Sequence, residues 1–174
     1  MLKILYPNLY VDSLRDIPLE DLKQAGKKAF VLDLDNTVTE WNSNEIREEV
    51  SQWFLSVRQH GFKACIISNN GEKRVETVAR SLDIPFISRA GKPRRGSFRK
   101  ALILMNTAAE ETAVIGDQIF TDIMGGNRAG LFTILVVPIA SREFFGTKIS
   151  RLFEYFVLKH IKKNLGIDDK NLED

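Results

Sequence analysis

Lys28-Ala29-Phe30-Val31-Leu32-Asp33-Leu34-Asp35-Asn36-Thr37 is an apolar run of strand length that stops abruptly in two carboxylates two residues apart. Such a run, bounded by polar turn residues, predicts a strand buried on both faces, which in a water-soluble chain means the interior of a parallel sheet. Its carboxyl end is the candidate site. Two acids placed there repel each other and lose hydration, and a fold keeps them only where a cation offsets that cost. A divalent metal is the simplest such cation.

The same pattern recurs downstream. After the loop Trp41-Asn42-Ser43-Asn44, a helix capped by Asn44 carries Ile46, Val50, Trp53, Phe54 and Val57 at helical spacing and ends at Gly61. A second buried strand, Phe62 to Ile67, stops at the turn Ser68-Asn69-Asn70-Gly71, and a helix follows from about Glu72 to Ser81. Next come a short strand at Pro85-Phe86-Ile87, a helix from about Arg94 to Met105, and a strand at Thr112 to Ile115. The polar turn Gly116-Asp117-Gln118 then opens a helix closed by Gly130, and the last strand, Phe132 to Val137, stops at Pro138. Upstream, residues 1–27 form a lead-in with a short helical pattern near Leu14 to Gln24 and no visible chemistry.

Strands alternating with helices predict right-handed crossovers and an α/β, doubly wound three-layer sandwich with a five-stranded parallel sheet. Ligands of such folds bind outside the carboxyl ends of the strands, where strand order reverses. The parallel arrangement brings Asp33/Asp35/Thr37, Ser68/Asn69 and Asp117/Asp122 to one edge, with the Asp33 strand as the point of reversal.

At 174 residues the chain is read as a single domain, with a catalytic core over 28–140, a C-terminal helical segment over 141–165 and a frayed tail over 166–174. A hydrophobic fraction of 44% and a charged fraction of 28% are those of a globular protein, and no apolar stretch approaches a membrane span. The N-terminus Met1-Leu2-Lys3-Ile4-Leu5-Tyr6-Pro7 lacks the pattern of a secretory signal, so the expected location is cytoplasmic. Cys65, the single cysteine, excludes an intramolecular disulfide and reads as an inert core residue. Arg89, Lys92, Arg94, Arg95, Arg99 and Lys100 form a cluster with no acid among them, which points to an anionic ligand.

In chain order the polar clusters read Asp33-x-Asp35-x-Thr37, then Ser68 after a strand, then Lys92 before a helix, then Gly116-Asp117-x-x-x-x-Asp122. This succession resembles the haloacid dehalogenase (HAD) superfamily of phosphohydrolases across most of the chain. Two gaps are short: few residues separate Thr37 from the next helix, and the stretch from Asn70 to Lys92 holds one helix and one strand. Neither has room for a cap domain. With Ser68-Asn69-Asn70 and Gly125-Gly126-Asn127-Arg128-Ala129-Gly130, the chain is similar to the uncapped subclass IIIA phosphatases of the YqeG type, themselves similar to mitochondrial phosphatidylglycerophosphate phosphatases.

The resemblance implies a division of roles that the chemistry of a phosphate monoester makes intelligible. Asp33 is the nucleophile, forming an aspartyl phosphate, and Asp35 is general acid toward the leaving oxygen and then general base toward water. Asp33, Asp117 and the main-chain carbonyl of Asp35 hold Mg2+, a hard ion suited to oxygen ligands. Asp122 binds the metal through water or positions Asp117, and Thr37 orients the carboxylates. Ser68, Asn69 and Lys92 take the phosphate oxygens. An open site suits a bulky substrate such as a lipid headgroup.

The segment Arg142 to Lys163 joins a broad apolar face to six basic residues, a composition that fits an interfacial helix on an anionic membrane, though an aromatic stripe more often marks a helix packed on the core. The leading expectation is a phosphatase of an anionic phospholipid, with peripheral membrane contact through residues 142–163. The alternatives are a phosphatase of nucleic-acid ends or phosphoproteins, and a non-catalytic binding module on the same fold. Aromatic residues for stacking bases are scarce near Lys92, which disfavours nucleic acid. The presence of both Asp33 and Asp35 disfavours the module.

Overall fold

The computed structural model describes residues 2–140 and Val157. Backbone contacts divide the chain into Met1–Arg142 and Glu143–Asp174. Val157 lies in a helical turn of the second unit, and the expected helix over 142–163 and tail over 166–174 otherwise fall outside the described residues.

The first unit is a parallel sheet flanked by helices, with strands β1 Leu9–Val11, β2 Ala29–Leu32, β3 Lys63–Ile67, β4 Phe86–Ile87, β5 Thr112–Gly116 and β6 Phe132–Val136. Their order across the sheet is β1-β6-β5-β2-β3-β4, and every neighbouring pair is parallel. From β2 the chain winds outward through β3 to β4, then returns to the other side of β2 as β5 and winds outward again. Strand order therefore reverses between β2 and β5, as the sequence predicts.

The sheet has six strands rather than five. The additional one is β1, in the lead-in segment, where Leu9 pairs with Ile134 and Val11 with Val136. Three half-buried residues between Pro7 and Asp12 make no apolar run long enough to register as a strand. The helical pattern at 14–24 is also split: Leu14–Asp16 is a 3-10 turn and α1 begins at Leu19. Pro18 is the reason, since the residue before a proline is pushed out of the helical region, and Ile17 sits at φ −72° and ψ 120°.

The remaining helices are α2 Glu48–Gln59, α3 Glu72–Leu82, α4 Arg95–Met105 and α5 Met124–Ala129. Helix α2 starts after Arg47 rather than after Asn44. Residues 44–47 stay in the loop that leaves the site, and Arg47 there pairs with Glu40.

Period-two alternation along β2 sends its side chains to two cores. Phe30 and Leu32 join Trp53, Phe54, Val75 and Val78 under α2 and α3, where Phe30 lies 5.7 Å from Trp53 and 4.7 Å from Phe62 between ring centroids. Ala29 and Val31 join Cys65, Ile67, Phe98 and Ala101 under α4. Each large apolar side chain fully buried in these layers contributes about 1.5–3 kcal/mol, so the central strand is firmly anchored from both faces. Cys65 is fully buried, and burial pushes its thiol up to about 12, which makes it the inert core residue expected.

Among the described residues no domain is inserted beside the sheet: the chain passes from Thr37 to α2 by a loop, and only α3 and β4 lie between β3 and Lys92. None of their helices is long and apolar enough to cross a membrane.

Candidate active site

Strand alternation alone would leave the two acids, two residues apart, on one face, and it is the turn after β2 that separates them. Asp33 follows Leu32 at the end of β2 and is 5% exposed, and its main-chain N–H donates to Ile115 O at 2.9 Å, which extends the pairing with β5 past the strand. The chain then leaves the sheet in a tight turn in which Val38 N and Thr39 N both donate to Leu34 O, with the buried Leu34 and Val38 as its apolar anchors. Asn36 adopts φ 58°, a left-handed conformation that asparagine tolerates better than most residues. Asp35 therefore points away from Asp33, toward the α3 side.

Asp33, Asp117 and Asp122 converge, each offering a carboxylate oxygen within 4.8 Å of the others, and all three are buried. Lys92 reaches into the group, with Nζ 2.5 Å from Asp33 Oδ1 and 2.7 Å from Asp122 Oδ1. Burial opposes its charge, but Asp122 and Asp33 together outweigh that effect and raise its pKa, so the ammonium stays protonated. Asp122 is raised as well, by burial first and by the charge of Asp33, with Lys92 pulling the other way.

Asp122 is held by its own loop. Residues Ile119–Ile123 form a π-helical turn that runs into α5, and Gln118 N donates to Asp122 Oδ2 at 3.2 Å. The carboxylate lies so close over Gly116 that a Cβ there would fall 2.3 Å from Asp122 Cγ. Only glycine at the end of β5 lets the acid sit in this place. Gly125 plays the corresponding part for α4, because a Cβ on it would meet the Phe98 ring at 2.6 Å. The close α4–α5 packing it permits seats the segment that delivers Lys92.

Lys92 is also fixed through its backbone. The Asn69 side chain accepts from Lys92 N at 2.8 Å and donates to Lys92 O at 3.3 Å. Asn69, expected on the phosphate, is thus occupied in positioning the lysine. Ser68 is 1% exposed at the end of β3, and its Oγ accepts from Asn70 N at 3.2 Å, shaping the turn. Thr37 Oγ1 lies 3.5 Å from Asp117 Oδ1.

Asp35 has its own partners. Arg74 Nη1 pairs with Asp35 Oδ1 at 2.6 Å, Asn42 N donates to the same oxygen at 3.3 Å, and Asn70 Nδ2 donates to Oδ2. Burial raises its pKa, Arg74 opposes the rise and Asp33 adds to it, with a net upward shift. The same guanidinium donates to Thr39 Oγ1 at 3.2 Å and to Ser43 O at 2.9 Å, tying the loop after Asp35 to α3.

Arg74 was not among the residues expected at the site. A cation in the first turn of a helix runs against the macrodipole, and that mismatch is the signal that could have singled it out. The basic cluster, conversely, divides: Lys92 is buried between two acids, while Arg89, Arg94, Arg95, Arg99 and Lys100 are exposed.

The donor set fits a divalent cation. Three buried carboxylates gather around one buried ammonium, and all the donors are hard oxygens. Both oxygens of Asp122 already accept hydrogen bonds, so direct coordination falls more naturally to Asp33 and Asp117.

Comparison with known proteins finds phosphatases. Residues 89–137 match the family model described as HAD-hydrolase-like. The chain is 40% identical over 161 residues to the probable phosphatase YqeG of Bacillus subtilis, covering 92% of this chain and 94% of that one. It is 28% identical to the chloroplastic phosphatidylglycerophosphate phosphatase 1 of Chlamydomonas reinhardtii over 86% of this chain, and spans 60% of that protein's length. Among solved structures, the cobalt-bound deoxy-D-mannose-octulosonate 8-phosphate phosphatase YrbI of Haemophilus influenzae shares the fold, with a TM-score of 0.54 at 15% identity over 81% of this chain and 92% of that one.

Proposed function

This chain belongs to the HAD phosphatases of the YqeG type, and from that premise we propose a Mg2+-dependent phosphomonoester hydrolase whose covalent intermediate forms on Asp33 and whose substrate is a phospholipid phosphate such as phosphatidylglycerophosphate. The observation that carries the chemistry is the convergence of Asp33, Asp117 and Asp122 around Lys92, apart from an Asp35 that has partners of its own.

Mg2+, held by Asp33, Asp117 and the Asp35 main-chain carbonyl, would supply positive charge against the oxygens of the dianionic ester. An Asp33 oxygen attacks phosphorus. The bond from phosphorus to the leaving oxygen breaks, and Asp35, protonated at higher pH than an ordinary carboxylic acid, gives that oxygen its proton. Water then attacks the phosphorus of the aspartyl phosphate while the Asp35 carboxylate takes its proton, releasing inorganic phosphate and restoring both acids. Lys92 holds the Asp33 oxygen at its attacking position and balances charge on the transferring group. Ser68 and the N–H groups of its turn would receive phosphate oxygens, with Asn69 keeping Lys92 in register. Thr37 and Asp122 orient the metal-binding carboxylates.

The lipid assignment is supported by the named activity of the chloroplastic relative and by the lack, among the described residues, of a domain inserted over the site, which suits a headgroup presented at a surface. Such a substrate places the enzyme at the cytoplasmic face of an anionic membrane.

Hydrolysis of p-nitrophenyl phosphate is the direct test. Activity should require Mg2+, vanish with chelator and return on adding the ion, and Asp117→Asn should lower it by at least about 100-fold. Mg2+ should raise the thermal midpoint of the parent protein by binding only its folded form, and should leave that of Asp117→Asn unmoved. Turnover indifferent to chelator would overturn the metal assignment.

Arg74 allows a second test, by pH. Its charge lowers the Asp35 pKa against the upward effects of burial and Asp33, so Arg74→Gln should raise that pKa further. The acid form then persists to higher pH, and the alkaline limb of the kcat/KM profile should move upward for an ester with a poor leaving group. An unmoved limb would remove Asp35 from the role of acid.

A further inference from the structure

Beside Asp35 the surface opens into a hollow of about 560 Å3, lined by Asn70, Glu72, Lys73, Arg74, Glu76 and Arg89 among others. Two of its charges are already matched, Arg74 by Asp35 and Glu76 by Arg80. Lys73 and Arg89 form no ion pair among the described residues, and Glu72 is the remaining acid on the wall. The hollow thus carries a surplus of positive charge directly outside the acid that protonates the leaving group.

Arg89 is held there at a cost. Its φ of 46° lies in the left-handed region, where a residue with a Cβ is disfavoured by roughly 1 kcal/mol and glycine is not. Its main-chain N–H donates to Asn70 O at 2.9 Å, and the following Ala90 N donates to Ser68 O at 2.9 Å. Asn70 in turn donates through its side chain to Asp35 Oδ2. One residue therefore connects the proton donor to the backbone that presents Arg89, and the leaving oxygen must depart on the side where Asp35 stands.

We propose that this hollow is the leaving-group subsite, and that Arg89 with Lys73 recognises a second phosphate carried by the leaving group. The inference rests on the catalytic reading above and names what that reading leaves open: the feature by which the enzyme tells one phosphomonoester from another. An arginine fork suits a phosphate oxygen pair better than an ammonium does, which assigns the larger share to Arg89. A phosphodiester of a lipid headgroup and a phosphate on a small polyol offer the same chemistry.

The experiment compares kcat/KM for glycerol 1-phosphate, glycerol 1,3-bisphosphate and a soluble dihexanoyl phosphatidylglycerophosphate. Both substrates with a second phosphate should be favoured over glycerol 1-phosphate by about tenfold or more, the gain of one well-placed charge-assisted contact. Arg89→Gly should cut that preference toward unity, Arg89→Lys should keep part of it, and added salt should narrow it. Because glycine accepts a φ of 46°, Arg89→Gly should hold or raise the thermal midpoint, which separates loss of recognition from loss of fold.

Equal turnover of glycerol phosphate and bisphosphate, or a preference untouched by Arg89→Gly, would overturn the subsite while leaving the phosphatase chemistry standing. A preference for the lipid alone would also overturn it, since tails and not the second phosphate would then be recognised. A preference for the bisphosphate at least as large as for the lipid supports the subsite and identifies a small phosphorylated leaving group as its ligand. Failure to hydrolyse any of the three with Mg2+ would overturn the catalytic reading on which it depends.

Discussion

Replacing Asp33 by Asn should lower kcat by roughly 10^4- to 10^6-fold, the range expected when the nucleophile of a covalent mechanism is removed. The amide is nearly the same shape, so the expected loss is chemical. An amide oxygen carries no charge to attack phosphorus and cannot leave as a carboxylate when water arrives. The variant should also fail to trap label when acid-quenched in the presence of a radiolabelled phosphomonoester, whereas the parent protein should carry acid-stable, hydroxylamine-sensitive phosphate. Comparable activity in parent and variant would place the nucleophile elsewhere. Fold should survive, because Asp33 is neutralised and not truncated, and Lys92 keeps Asp122 as its partner at 2.7 Å.

The second large effect is on stability. Lys92→Ala should destabilise the folded protein by about 3–5 kcal/mol in the absence of divalent metal, the usual consequence of removing one partner from a buried ion pair. Here the consequence is sharpened by number, since Asp33, Asp117 and Asp122 would then face one another within 4.8 Å with no buried cation between them. Urea denaturation with and without Mg2+ measures it. A bound divalent ion restores part of the balance, so Mg2+ should stabilise Lys92→Ala by more than it stabilises the parent. Lys92→Met, which keeps the aliphatic stem, should be no better than Ala without metal if charge is the cause. A loss below about 1 kcal/mol in both variants would mean that the three acids do not depend on the ammonium for their burial.

Most of the scaffold was legible because the central strands are unambiguous. Residues 29–32, 63–67 and 112–116 are buried almost throughout, and their apolar runs admit no other reading once helical spacing intervenes. The convergence of Asp33 and Asp117 is legible for a related reason: polar residues at the ends of such strands are costly unless used, whereas Asp122, inside the turn after β5, comes into view only through the motif it completes. The sequence was least informative where structure depends on tertiary partners. Strand β1 exists because β6 offers it an edge, and three half-buried residues carry no pattern of their own. Arg74 was missed because its meaning lies in Asp35, distant in the chain and brought near only by the turn of Asn36. The pairing of the Asn69 side chain with the Lys92 backbone is likewise invisible in the sequence, because its partner lies 23 residues on, beyond a helix and a strand.

The segregation of β2 side chains into two cores has a consequence for how such an enzyme could diversify. The groups proposed to handle the transferring phosphate, Asp33 and Lys92 with the supporting Gly116 and Asp122, hang from the β2 and β5 ends and the segments leading into α4 and α5. Those proposed to meet the departing half, Asn70, Lys73 and Arg74, lie on and just before α3, beside Arg89, over the opposite layer. Apart from Arg74, which is tied to Asp35, substitutions along α3 can therefore accumulate with little disturbance of the proposed phosphoryl-transfer apparatus, because the packing that transmits their effects ends at the sheet. Descendants of one ancestral hydrolase could exchange one alcohol for another while their shared chemistry drifts hardly at all.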